Sequence, residues 1–84
     1  MYVTMKDNFM SGWGEARDLI NIYLVECETS EQADQIENAA NERGEMEGVR
    51  QCEDKPHYPP SLYLVTEKDY SELGGCWIED GGRL

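Results

Sequence analysis

The sequence predicts an α+β domain: a small antiparallel or mixed sheet of three to five strands with one helix packed on one face, in β-β-α-β-β order. Three observations predict it. Short runs rich in β-branched and aromatic residues recur at Tyr2–Asp7, Leu19–Glu28, Glu45–Glu53 and Leu62–Glu67. A single segment, from Thr29 to about Arg43, combines helical periodicity with a start signal. The connections are short, and 84 residues leave room for one domain, 1–84, with no internal repeat or linker.

The first run is apolar at Tyr2 and Val3 and turns polar at Lys6–Asp7, as a short strand that ends in a loop. In Asn8-Phe9-Met10-Ser11-Gly12-Trp13-Gly14, two glycines flank a tryptophan. Glycine supplies backbone angles that other residues avoid, so this stretch is expected to be an ordered loop in which Phe9, Met10 or Trp13 plugs the core. Because a chain this small needs its large side chains inside, Trp13, Phe9 and Trp77 are expected to be buried; the alternative is an interface anchor.

Leu19–Glu28 is the strongest strand, with Ile20, Ile22 and Leu24 on one face and Tyr23, Val25 and Cys27 on the other, which fits a central position. Thr29-Ser30-Glu31-Gln32 has the T-x-x-Q form of a capping box, so a helix starts there. Gly44 is placed to stop it in a left-handed conformation. Ala33, Ile36, Ala39 and Ala40 share one helix face, and Glu31, Asp34, Asn38, Asn41 and Glu42 share the other. Small side chains on the packed face allow close approach to a sheet.

Glu45–Glu53 is a weaker strand in which Gly48 marks a bulge. Asp54–Ser61 holds all three prolines and is an extended connection or turn. Leu62–Glu67 is a strand apolar on both faces at its centre. From Lys68 to Leu84 the sequence reads as a last short strand or a lid around Cys76-Trp77-Ile78, with the final few residues frayed.

Charge is the strongest functional signal. Eighteen Asp and Glu against seven Lys and Arg give a net charge of −11. Such a field repels nucleic acid and anionic lipid, and it draws the chain toward basic surfaces. No membrane-spanning apolar run or signal-peptide pattern is read, and Cys27, Cys52 and Cys76 form no C-x-x-C pair; a cytoplasmic protein with free thiols is expected.

No catalytic, metal or cofactor site is expected. His57, the single histidine, lies between Pro56 and Tyr58 without a motif that would make it a general base. Gly12-Trp13-Gly14 lacks the spacing of a phosphate-cradling loop, and the acidic clusters lack a calcium-loop pattern. The acidic surface remains. Glu31, Asp34 and Glu42 mark the helix, Glu45 and Glu47 follow at a strand spacing of about 6.6 Å, and Glu53 and Asp54 close the next strand. Carboxylates arrayed at that scale can stand in for backbone phosphates, so these seven are the candidate partner-binding residues. The competing reading is a solubilising face with no partner.

Phe9-Met10-Ser11-Gly12-Trp13-Gly14, then the strand ending Glu26-Cys27-Glu28, the helix opening Thr29-Ser30-Glu31 and closing Asn41-Glu42-Arg43, and Lys55-Pro56-His57-Tyr58 carry a resemblance. Over most of Tyr2 to Trp77 the chain resembles small proteins encoded by tailed phages and prophages, and it is more acidic than is typical of them. In size and acidity it is similar to phage anti-CRISPR proteins. The resemblance implies an inhibitor of bacterial defence, working in the host bacterial cytoplasm. It would occupy the basic surface with which a CRISPR effector reads DNA, without catalysis and without touching nucleic acid or membrane. Two rivals stand beside it: a phage accessory or structural protein acting through protein-protein contacts, and a small enzyme using His57 or a cysteine.

Overall fold

A computed structural model describes residues 1–74. Four strands, β1 (Tyr2–Asp7), β2 (Ile20–Glu26), β3 (Met46–Cys52) and β4 (Tyr63–Asp69), and one helix, α1 (Ser30–Glu42), make an α+β fold with a single mixed sheet. The strand order across the sheet is β3-β1-β2-β4. β1 is antiparallel to both β2 and β3, whereas β2 and β4 are parallel. Of residues 68–84, read as a last short strand or lid with a frayed end, Lys68 and Asp69 extend β4 and Tyr70–Gly74 form a π-helical turn, while the stretch around Cys76-Trp77-Ile78 and the end of the chain lie outside the described residues.

The helix begins where its chemistry requires. The Gln32 N–H donates to the Thr29 hydroxyl (3.2 Å), and the Gln32 side chain accepts from the Glu28 N–H (2.8 Å), which satisfies amide groups at the exposed helix start. Ala33, Ile36, Ala39 and Ala40 are buried against Val3, Met5, Val25, Cys27 and Met46. Each of the larger of these side chains contributes about 1.5–3 kcal/mol by leaving water. The helix stops differently from expectation: Arg43 leaves it in an extended conformation, and Gly44 does not take a left-handed φ.

Gly48 does take one, at φ 60°. Thr4 pairs with Arg50 and Lys6 with Glu47, so Gly48 and Val49 both oppose Met5 in a β-bulge. The extra residue shifts the side-chain alternation. It turns Val49 onto the helix side, where it packs against the core, and leaves Glu47 on the other.

The face without the helix is covered by the proline segment. β3 runs parallel to β4 yet lies at the opposite edge, so residues 53–62 must cross the sheet from one end to the other. Prolines suit such an extended strap because they need donate to no ladder. Lys55 Nζ reaches the Glu67 carboxylate at 3.1 Å, and the Tyr58 ring meets Tyr63 edge-on at 5.3 Å. On this side Thr4, Ile22 and Leu24 are buried.

The expected burial of the loop aromatics is wrong for the described ones. Phe9 is 72% and Trp13 71% exposed, and Met10 is also exposed. The loop buries Ala16 instead and turns its rings to solvent; Trp77 lies outside the described residues.

Candidate functional site

The two ends of the sheet differ in chemistry. At one end β2, β3 and β4 finish, β1 begins and α1 starts. There the register sets Cys52, Tyr2, Glu26 and Asp69 side by side across the four strands. Glu26 and Asp69 are therefore direct neighbours on parallel strands, an arrangement of like charges that disfavours pairing.

Neither carboxylate is in an ion pair, although Lys55 and Lys68 line one hollow that Glu26 and Asp69 share. Among the described residues no cation comes within ion-pair distance of Glu26, Glu28, Glu31, Glu53, Asp54 or Asp69, while Glu67 and Glu72 hold Lys55 and Lys68 at 3.1 and 2.9 Å. Glu26, Glu28 and Asp69 converge on a second hollow, of ≈ 340 Å³, that Gln32, Tyr70 and Ser71 also line. Asp69 is held in place: its Oδ1 accepts from the Ser71 hydroxyl at 2.7 Å and from the Glu72 N–H at 2.8 Å. These bonds, the hydroxyl's first, with further help from the Lys68 charge, keep its carboxyl below the usual carboxylate range and hence charged. It also fixes the start of a π-helical turn, Tyr70–Gly74.

The seven residues singled out in the sequence divide between the ends. Glu31 lies in the first turn of α1, and Asp34 accepts from Gln51 Nε2 at 2.7 Å, which ties the helix to β3 just before Glu53 and Asp54; all four carboxylates are exposed at the acidic end. Glu42 closes α1 at the far end. Glu45 precedes β3 and pairs with Arg43, and Glu47 sits within β3 facing Lys6 at 3.9 Å. The row imagined through Glu45 and Glu47 is thus two separate ion pairs. Sequence reasoning passed over Glu26, Glu28, Asp69 and Glu72; the visible signal was that β2 and β4 each end on an acid, but their adjacency depends on a pairing across more than forty residues.

The other end carries the loop 8–19. Asp7, 4% exposed, is its anchor: Oδ1 accepts from the N–H groups of Phe9 (2.9 Å) and Met10 (3.2 Å), and Oδ2 accepts from Asn21 Nδ2 (3.4 Å). Ser11 Oγ donates to the Asp7 carbonyl and accepts from the Asn21 N–H at 3.1 Å. Gly12 and Gly14, at φ 81° and 57°, let the chain wind into a 3₁₀ turn, Gly14–Ala16, whose Ala16 is buried. Burial, then the Asp7 charge, pushes the neighbouring Tyr23 hydroxyl above its ordinary pKa.

His57 is exposed in the strap, Cys27 is buried with its thiol pushed up by burial, and Cys52 is half-buried. Among the described residues no group of His, Cys, Asp or Glu is arranged to hold a metal ion, and no helix is long and apolar enough to cross a membrane. Comparison with known protein families, curated proteins and solved structures finds no match to this chain.

Proposed function

We propose that this chain is an acidic, non-catalytic inhibitor encoded by a phage, which acts in the host bacterial cytoplasm by occupying the Lys/Arg-rich surface with which a CRISPR effector binds DNA. The observation that supports it most is the carboxylate end, where Glu26 and Asp69 are fixed side by side. Glu28, Glu31, Glu53 and Asp54 form no ion pair among the described residues, so that the acids outnumber the nearby Lys55 and Lys68. With a net charge of −11, such an end resembles a short run of phosphates to a groove built for a polyanion. Placing Glu26 against Asp69 works against sheet stability, and a charge pattern kept at that expense is what a docking surface would need.

The experiment is competition between the protein and target DNA for purified CRISPR effectors of the single-protein and multi-subunit types. Loss of DNA binding is expected at about 50 mM salt and is expected to weaken by ten-fold or more at about 500 mM. Charge reversal at Glu26 and Asp69, or at Glu31 and Asp34, is expected to abolish it. Stoichiometric binding that leaves DNA recognition intact, or reversal variants that inhibit as well as the parent, would overturn the proposal. The exposed Phe9 and Trp13 favour a second reading, a phage accessory protein that works through apolar contacts and binds independently of salt.

A further inference from the structure

We propose that the loop 8–19 is a preorganised docking knuckle whose occupant is a net-basic protein presenting an apolar cleft rimmed by lysines and arginines. Among the described residues the fully buried side chains are aliphatic or small, whereas the single phenylalanine and one of the two tryptophans point outward. Leu62, 57% exposed, stands at the same end, its carbonyl accepting from the Ile20 N–H at 2.9 Å where the loop joins β2. All three large apolar side chains are thus exposed at the end of the sheet that carries the loop.

The loop is not slack. Asp7 accepts from the Phe9 and Met10 N–H groups, and the Ser11 hydroxyl bridges the Asp7 carbonyl and the Asn21 N–H on the two flanking strands. The Gly12 N–H donates to Leu19 and Ala16 carbonyls at 3.0 and 3.1 Å, and the Ala16 and Leu19 N–H groups close successive turns at 2.9 and 2.8 Å. Aromatic side chains on a backbone already ordered lose little further entropy on binding, which is the property of an interface anchor.

Charge selects the occupant. A second copy would bring another eleven negative charges to this end of the sheet, and on the loop itself the exposed Glu15 and Asp18 outnumber the one cation, Arg17. Nucleic acid and anionic membrane are repelled for the same reason. A basic rim instead complements the chain's negative field and the Glu15 and Asp18 carboxylates while its cleft takes the rings. The knuckle is distinct from the carboxylate end, and it does not require that the basic protein be a CRISPR effector.

The test is site-specific photo-crosslinking of the full chain in bacteria, with p-benzoylphenylalanine at position 9, 13 or, as the acidic-end control, 31. Adducts are mapped by mass spectrometry, and the protein found is then purified and titrated with the parent and with Trp13→Ala and Phe9→Ala. Support requires that positions 9 and 13 crosslink to an apolar peptide bordered by Lys or Arg, and that each substitution weakens binding by at least ten-fold at low and high salt while the thermal midpoint is unchanged. No adduct at 9 and 13, adducts to a second copy, or full affinity in both alanine variants would overturn it. Adducts from position 31 alone would defeat the knuckle and leave the polyanion reading standing; a knuckle partner that shows no competition with DNA would defeat the polyanion reading and leave the knuckle.

Discussion

The two ends of the sheet spend their hydrogen bonds differently. At the aromatic end a buried carboxylate, Asp7, is satisfied by Phe9, Met10 and Asn21, and the Phe9 and Trp13 rings reach solvent. At the acidic end the carboxylates themselves reach solvent, and the bonds that matter hold them still, as Ser71 and Glu72 hold Asp69. One buried charge thus orders the loop beneath those rings, while short strand ends and a helix cap order a charged surface. Position, more than residue type, sets whether an acid builds structure or offers itself to a partner.

Removing the anchor breaks the aromatic end most directly. Asp7→Ala deletes the acceptor of two backbone N–H groups and is expected to lower stability by about 3 kcal/mol. A urea midpoint measures the loss, and hydrogen exchange should show the Phe9 and Met10 amides opening while those of α1 stay protected. Equal loss of protection in both places would mean that the loop is not a separate ordered unit.

Thr29→Ala removes the hydroxyl that caps α1 and is expected to lower stability by about 1 kcal/mol. The change loosens Glu28 and Glu31 and leaves the aromatic loop alone, so thermal unfolding paired with amide exchange at Gln32 distinguishes it from the anchor variant. The smallest effect has the opposite sign. Glu26→Gln relieves the repulsion across from Asp69 and is expected to raise stability by about 0.3 kcal/mol, more at low salt than at high. A stability loss, or a salt-independent gain, would show that the pair is not under electrostatic strain.

Much of the fold was legible because its signals are local. The Thr29 cap, the alanine face of α1, the bulge at Gly48 and the glycine-shaped loop after Asp7 each rest on a few neighbouring residues. Gly44 misled because a glycine after a helix is only one way to stop it; here Arg43 turns extended and its N–H still donates to Ala40. Phe9 and Trp13 misled because composition does not say which side of a loop backbone faces the sheet, and here the loop's buried contribution is Ala16.

By itself the sequence determined the α+β class, the helix start, the positions of the strands to within a few residues and the excess of negative charge. These follow from backbone propensity, side-chain periodicity and composition, which need no knowledge of distant neighbours. Tertiary structure alone decided that β2 and β4 lie parallel, that Glu26 therefore faces Asp69, that Glu45 and Glu47 are drawn into separate ion pairs, and that the aromatic loop points outward. Strand pairing joins residues far apart in the chain, and the alternation within one strand carries no record of which strand will lie beside it.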